Sequence, residues 1–398
     1  MGNETDRRPF SGAISVFRDG AAVHEYAAGL ADVALNRPIT LETCFHSASV
    51  SKQFVAASVL LLVEAGELDL HAPIARYLPR CPSAWAEIST HQLLTHTAGF
   101  GHWNQVEGFD PIHPPTPAEI LELRARRPLV NAPGAEFAYS GVGYLLAANI
   151  VEHVAAQSYA DFTAARIFGP LGMRSTRAGV RAPGAEALGY RDGEPIDAAG
   201  ISAIPGTGEL WTTVGDLTRY AASFAADELL AAASRELMCT AHVPVPADAG
   251  QFGETVGYGY GYWIGTVDGL PMHYHPGDIV GYRSVYVCVS GARASIVILS
   301  NRDDTDTSEI SRRLWTEYLA GEFSGDGASR SAGPEAAASS AETWELWRQD
   351  DNGNRYLVSI HADEESARIR MSAIESGTVH KQHYWIEIVS IPRSGGFR

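Results

Sequence analysis

Lysine is nearly missing from this chain. Of thirty basic residues only Lys52 and Lys381 are lysines, and every other cation is arginine. Neither lysine follows a glycine, so no GxxxxGK[ST] loop exists to cradle a nucleotide phosphate. GxGxxG, HExxH and GxSxG are absent too, which removes the case for a Rossmann site, a zincin and an α/β-hydrolase nucleophile elbow. Cysteine is scarce. Cys44, Cys81, Cys239 and Cys288 are scattered without a CxxC, so neither a disulfide framework nor a thiolate zinc site is expected. Long apolar runs are lacking: the longest, Val55 to Val63, falls far short of the roughly 20 residues that span a bilayer. Positive charge is also short, with 30 Lys+Arg against 47 Asp+Glu and a net charge of −17, which argues against nucleic acid as a main ligand. The opening MGNETDRRPF has two arginines and no apolar stretch behind them, so no secretory signal is read. Together these absences lead to the expectation of an acidic cytoplasmic protein that touches neither membrane nor nucleic acid.

What is present is ample core material, 45% hydrophobic over 398 residues, enough for one large domain or two ordinary ones. Alternation in Ala13–Arg18 and Ala22–Ala28 across Asp19-Gly20 predicts an N-terminal hairpin. From about Phe45 to about His242 the pattern is mostly helical, broken by Pro- and Gly-rich loops. Strands are expected again at Gly257–Gly265, Met272–His275, Ser284–Val289 and Ala294–Asn301, the last two joined at Ser290-Gly291. A helix fits Thr307–Leu319. Strands at both ends around a helical insertion imply an α+β fold: one antiparallel sheet flanked by helices, with a helical lobe. After Gly321 the composition turns small and polar, so the expected division is a main domain over 1–321, a flexible linker over 322–342 and a small antiparallel β appendage over 343–398. The appendage alternates at Tyr356, Val358, Ile360 and Tyr384, Ile386, Ile388, with Asn352-Gly353 as a turn. It has too few strands to close a barrel, so it is expected to dock on the main domain or on a second copy.

Chemistry concentrates at Phe45-His46-Ser47-Ala48-Ser49-Val50-Ser51-Lys52-Gln53-Phe54. The following residues are almost continuously apolar to Ala65, which reads as a helix buried on all sides and stopped at Gly66. Ser49 at its N-terminus would lie where the helix dipole favours developing negative charge. Lys52, three residues on, shares a face with Ser49, and burial at the wrong end of the dipole would lower its pKa toward that of a usable base. The plainer alternative is an N-capping serine and a snorkelling lysine.

The rest of the sequence resembles the serine β-lactamase and penicillin-binding-protein superfamily, in particular its class C β-lactamase, esterase and D-aminopeptidase branches. Beyond Ser-Val-Ser-Lys-Gln-Phe, the landmarks run in family order: Leu93-Leu94-Thr95-His96-Thr97-Ala98-Gly99, Phe137-Ala138-Tyr139-Ser140-Gly141, Gly208-Glu209-Leu210-Trp211-Thr212-Thr213, Tyr258-Gly259-Tyr260-Gly261 and His275-Pro276-Gly277. The resemblance spans about Ser11 to Leu319. It implies that Ser49 is the acylated nucleophile, Lys52 its proton acceptor and Tyr139 a proton shuttle. It also implies that His275 and Gly277 line the pocket edge, with the backbone N–H groups of Ser49 and Asp278 as the oxyanion hole. Without that resemblance, Tyr139 reads as an ordinary aromatic at a helix start. His273 and His275 read as a surface pair on one strand face, or as two metal ligands lacking a third. His96 reads as a residue that satisfies loop carbonyls, and Tyr258, Tyr260, Tyr262 and Trp263 as strand packing, with one ring able to edge the pocket.

Three departures shape the expectation. Gly141 stands where the family's Y-x-N motif has asparagine, which leans away from amides toward esters and thioesters. His275 replaces the lysine of most β-lactamases, which argues against antibiotic resistance. Only about ten residues precede the first strand, so the family's usual N-terminal helix is expected to be absent or badly truncated, with some sheet surface covered by the Thr307–Leu319 helix, the appendage or a partner. The expected activity is a serine hydrolase without metal or cofactor, acting on a small ester, thioester or D-configured amide through an acyl-serine. Acyl transfer or peptide cyclisation by the same acyl-enzyme is the alternative, and a non-catalytic ligand sensor the second. The expected partners are a small-molecule acyl substrate and a second copy of the chain.

Overall fold

The computed structural model describes residues 9–102, 110, 113–179, 186–196, 204–226, 228–246, 249–320, 342–349, 355–361, 368 and 383–390. It divides into two compact units, Met1–Gly325 and Asp326–Arg398. In the first, eight antiparallel strands form one sheet in the order Val243–Pro244, Glu254–Tyr258, Trp263–Val267, Leu270–Ile279, Tyr282–Val289, Ala294–Ser300, Gly12–Arg18, Ala21–Ala28. The expected hairpin is present, and its first strand pairs with Ala294–Ser300 in the register Gly12↔Ser300. The N-terminal hairpin thus completes a sheet otherwise built from the C-terminal strands. This is the α+β arrangement read from the sequence.

Alternation assigns the two faces. Ala13, Val297, Leu299 and Tyr286 point into the larger core, shared with the helices Lys52–Glu64, Gly141–Ala155 and Val214–Ala226. Ile14, Val16, Val285, Val287, Ile296 and Ile298 point to the opposite face. There Leu314, Trp315 and Leu319 cover them, and Trp315 Nε1 donates to Asp268 Oδ2 at 2.7 Å. The C-terminal helix of this unit therefore covers the outer face. It begins as Thr307–Leu314, capped by Asp306 accepting from the Glu309 N–H at 2.9 Å, and continues as a π-helical turn over Trp315–Leu319. Fully burying each such apolar side chain contributes about 1.5–3 kcal/mol.

Two expectations are corrected. The single strand foreseen at Gly257–Gly265 is two strands, Glu254–Tyr258 and Trp263–Val267, joined by a tight turn. Gly261 in that turn has φ +78°, and a Cβ there would stand 2.7 Å from Gln53 Cα and 2.9 Å from the Lys52 carbonyl oxygen. The chain reverses where it meets the Lys52 helix, and only glycine fits that approach. The helix expected from Ser49 instead starts at Lys52. Ser49 lies in a preceding 3₁₀ turn, Ala48–Ser51, so the simple N-cap reading also fails: Ser51 precedes the helix and makes no side-chain cap. A small sheet of Phe45–His46, Leu210–Thr212 and Arg177–Ala178, invisible in the helical pattern of this region, anchors the chain just before that turn.

The second unit has three antiparallel strands with Glu342–Gln349 in the middle, between Arg355–His361 and His383–Ser390. The predicted linker, apart from Glu342, and the Asn352-Gly353 turn lie outside the described residues. No helix among the described residues is long and apolar enough to cross a membrane.

Candidate active site

The site is built on the turn Ala48–Ser51. Ala48 has φ +48°, a conformation that costs a non-glycine residue energy and persists only where its surroundings enforce it. They do so here through several hydrogen bonds. The Ser47 N–H and Oγ both donate to the Leu210 carbonyl, at 2.9 and 3.1 Å. Ser284 Oγ donates to the Ser47 carbonyl at 2.6 Å, Ser51 Oγ to the Ala48 carbonyl at 2.7 Å, and the Ala48 N–H to His46 Nδ1 at 3.2 Å. Within the turn only Ser49 is partly exposed; Ala48, Val50 and Ser51 are buried. A 3₁₀ turn nearly eclipses residues three apart, which brings Lys52 over Ser49.

Lys52 Nζ lies 3.0 Å from Ser49 Oγ and donates to the Thr207 carbonyl at 3.3 Å. The lysine is 1% exposed, with the rings of Tyr139 and Tyr144 5.1 and 5.6 Å from Nζ. Burial lowers its pKa to about 7, against the opposing pull of Glu209. A lysine with that value can accept the serine proton near neutrality, which arginine cannot do at all.

Tyr139 precedes the helix Gly141–Ala155, whose N-cap Ser140 accepts from the Gly143 N–H at 3.3 Å. Burial raises the phenol's pKa above its ordinary value, opposed by a hydrogen bond with Ser49. The group therefore faces the serine as a protonated donor. Its ring is packed by His96 at 4.3 Å and runs parallel to Trp263 at 6.4 Å. Tyr139 Oη is 3.5 Å from His275 Nε2, and Tyr258 Oη is nearer, at 3.0 Å. His275 Nδ1 is 2.6 Å from the Pro276 carbonyl, which can only accept, so this assigns the proton to Nδ1 and leaves Nε2 to accept from a phenol. Burial and then the Lys52 charge lower the His275 pKa to about 3, so the imidazole is neutral at working pH.

Gly277 and Asp278 lie on the same strand as His275. Its ladder with Trp263–Val267 ends at Trp263↔Tyr274, while the ladder with Tyr282–Val289 runs on to Ile279. From His275 onward one strand edge therefore has no strand beside it. There the Ala48–Ser51 turn approaches: a Cβ on Gly277 would overlap Ser284 Oγ and stand 2.5 Å from the Ser47 carbonyl oxygen. Asp278 is exposed and its carboxylate pairs with Arg283 Nη1 at 2.6 Å, so only its backbone belongs to the site as read from the sequence. Gly141 is buried and supplies no side chain to Lys52, whose second hydrogen bond goes to the Thr207 carbonyl instead.

Several sequence readings change. His273 and His275 are not a surface pair; they are 2% and 1% exposed. His96 accepts the Ser140 N–H on Nδ1 at 3.0 Å rather than satisfying loop carbonyls, and its own carbonyl accepts from Ala138 N–H, so it clamps the segment carrying Tyr139. Tyr258 is a partner of His275 rather than packing alone. Glu209 and Thr207, beside Lys52, were missed. Glu209 appeared only as part of a landmark, and no spacing rule marks a carboxylate that meets a lysine 157 positions earlier in the chain. Among the described residues no three His, Cys, Asp or Glu side chains form a group able to hold a metal ion.

Comparison with known proteins finds relatives both in sequence and in structure. The Beta-lactamase family model matches residues 4–319. The chain is 26% identical to penicillin-binding protein 4* of Bacillus subtilis over 347 residues, covering 80% of this chain and 74% of that protein. It is 35% identical to esterase EstB of Burkholderia gladioli over 207 residues, covering 48% and 52%. It is 27% identical to a D-aminopeptidase of Cereibacter sphaeroides over 369 residues, covering 91% and 67%. Among solved structures, the octameric penicillin-binding protein homologue of Pyrococcus abyssi superimposes with a TM-score of 0.68 at 26% identity, covering 77% of this chain and 74% of that one. With a family match over most of the first unit, and relatives that include an esterase and a D-aminopeptidase, the chain belongs to the beta-lactamase family and is a serine hydrolase.

Proposed function

We propose that the chain cleaves a small ester, thioester or D-configured amide through an acyl-Ser49 intermediate, with Lys52 and Tyr139 moving the protons. Ser49 Oγ attacks the substrate carbonyl carbon as its proton passes to neutral Lys52 Nζ. The oxyanion is held by the N–H groups of Ser49 and Asp278, donors typically worth several kcal/mol in the transition state. Tyr139 passes a proton from Lys52 to the departing alkoxide, thiolate or amine as the carbonyl–leaving-group bond breaks. Water then attacks the acyl-serine, its proton returns through the same groups, and Ser49 is released. His275 stays neutral and its single Nε2 lone pair accepts from Tyr258, the nearer phenol, which leaves the Tyr139 hydroxyl free to serve Ser49.

The observation that carries this reading is the 3.0 Å approach of Lys52 Nζ to Ser49 Oγ, in surroundings that lower the lysine pKa to about 7. Gly141 supports the preference for esters and thioesters, because it has no amide to meet a substrate amide. The octameric relative supports a homo-oligomer, and the division of the chain near Gly325 supports an appendage over 343–398 as a separate unit available for that contact.

The test is intact-protein mass after exposure to a short p-nitrophenyl ester, with nitrophenolate release followed in parallel. Turnover by the wild type that Ser49→Ala abolishes is the expected result. A wild type that neither releases nitrophenolate nor gains an acyl mass, with D-aminoacyl amides equally inert, would sink the reading. An amine or alcohol added to the same assay reports transfer if its acyl conjugate forms.

A further inference from the structure

Among the described residues Glu209 is the one acidic side chain whose charge acts on Lys52, and it is 2% exposed. It stands directly before the strand Leu210–Thr212, which is held to Phe45–His46 by Phe45↔Thr212 and His46↔Trp211. The same segment gives its Thr207 carbonyl to Lys52 Nζ at 3.3 Å. One carboxyl oxygen, Oε2, accepts the Gly208 N–H at 3.1 Å. The other, Oε1, is buried and has no hydrogen-bond partner among the described residues.

A purely structural glutamate does not fit these facts. The Gly208 N–H needs one neutral acceptor, which glutamine supplies. A buried carboxyl with an unpartnered oxygen is costly and is retained in a fold only with compensation. The compensation available here is the lysine. Every other titratable group facing Lys52 carries no charge near neutrality. Tyr139 and Tyr144 have pKa values raised by burial, and His96 and His275 have values lowered by burial. Among the described residues, the groups facing Glu209 besides Lys52 are the Tyr159 phenol, its pKa raised by burial and by Glu209, and backbone N–H groups. Burial raises the Glu209 pKa to about 7, against the pull of Lys52, so the two buried groups titrate in the same range and each favours the charged form of the other.

We propose that Glu209 is a positioning residue for acylation: its carboxylate, fixed by the Gly208 N–H, supplies the counter-charge that lets buried Lys52 hold the proton taken from Ser49. The proposal rests on the acyl-Ser49 reading above. Proton balance is simple. The Ser49 proton moves to Lys52 as the Oγ–carbonyl bond forms, stays there as an ammonium facing the Glu209 carboxylate, and leaves through Tyr139 with the leaving group. Glu209 is ionised while Lys52 carries the proton, because the lysine charge lowers the carboxyl's pKa against the effect of burial. The carboxylate charge favours the protonated lysine, and a base matched to working pH transfers protons fastest.

The test is Glu209→Gln, with kcat/KM for p-nitrophenyl acetate followed across pH. Glutamine keeps the shape and the Gly208 acceptor but removes the charge. The midpoint of the acid limb is expected to move to lower pH by about one unit, with a plateau about tenfold or more below wild type. Glu209→Asp, which keeps the charge, is expected to return the midpoint toward wild type. An unchanged midpoint with a uniform loss of rate means that Glu209 only supports the fold, and overturns the proposal. A second measurement covers the case in which the glutamine variant does not fold. Infrared titration of ¹³C-labelled glutamate carboxyls, wild type against Lys52→Met, is expected to show one buried carboxyl protonating at higher pH when the lysine charge is gone. Identical titrations overturn the proposal as well. This arm needs no turnover, so a failure of Ser49 to acylate would overturn the function reading and still leave the pairing of Lys52 with Glu209 open to measurement.

Discussion

Lys52 Nζ and Ser49 Oγ are 3.0 Å apart because a 3₁₀ turn, not the first turn of an α-helix, separates them. That turn carries Ala48 at φ +48° and is held by hydrogen bonds from Ser47 to the Leu210 carbonyl, from Ser284 to the Ser47 carbonyl and from Ser51 to the Ala48 carbonyl. Hydroxyl and amine are thus set before substrate arrives, which is the condition for efficient proton transfer at the attack step.

The first prediction concerns the lysine itself. Lys52→Arg keeps a cation near Ser49 but cannot lose its proton, so esterase kcat/KM should fall by about 10²–10⁴-fold. In the proposed mechanism attack needs neutral Lys52, whose pKa is lowered to about 7 by burial. The rate should therefore rise with pH through that region and level off above it. Stopped-flow nitrophenolate release across pH reads both effects. A flat profile below pH 7 would mean that Lys52 is not the base.

The two phenols on His275 should separate in kinetics. Tyr139 faces Ser49 as well as His275, whereas Tyr258 reaches His275 at 3.0 Å and is fully buried behind it. Tyr139→Phe removes the shuttle and should lower kcat by about 10²-fold or more. Tyr258→Phe removes the nearer donor to His275 Nε2 and should cost only about 1–3 kcal/mol of stability, with a loss of rate below about tenfold. Equal losses of rate in both variants would remove Tyr139 from its special place.

The legible parts of this molecule were those written locally. Alternation gave the hairpin and the strands at Tyr282–Val289 and Ala294–Ser300, and a three-residue spacing with a buried helix singled out Ser49 and Lys52. What alternation could not show is the turn inside Gly257–Gly265. Its residues are apolar throughout, and the reversal is dictated by contact between Gly261 and the distant Lys52 helix. Burial of His273 and His275 was hidden for the same reason, since a histidine's environment is a tertiary property. Glu209 shows the limit most clearly. Its chemistry comes from the chain folding Thr207–Glu209 against Lys52, and nothing near it in sequence signals that meeting.

Gly277 offers a prediction about the strand edge. Alanine there would place a methyl carbon against Ser284 Oγ and the Ser47 carbonyl, the two atoms that hold the nucleophile turn in place. Backbone cannot yield cheaply, so the strand and the turn must separate. Gly277→Ala should cost about 1–3 kcal/mol of stability and about 10²–10³-fold in kcat, because the spacing of the proposed oxyanion donors changes with it. Acyl-enzyme formation should slow while binding of a product acid changes little. Wild-type rates in the alanine variant would show that the strand edge does not set the oxyanion site.

The buried histidines set the response of stability to acid. His46, His273 and His275 each have a pKa lowered to about 3 by burial, against an ordinary value of 6.5. Between those values the unfolded chain binds protons that the folded chain does not, so each group's contribution is complete above about pH 6.5 and is lost as pH falls toward 3. The slope is about 1.4 kcal/mol per pH unit for each group. His273 is the one to remove, since its ring packs on Tyr262 at 4.6 Å and Phe224 at 5.3 Å and its Nε2 has no partner among the described residues. His273→Leu replaces an unpaired polar atom with carbon at similar volume, so its neutral-pH stability should lie within about 1.5 kcal/mol of wild type. Denaturant unfolding at neutral pH and at successively lower pH should then show a shallower loss in the variant, by about 1.4 kcal/mol per unit. Parallel pH curves for the two proteins would mean that His273 is already protonated in the folded state.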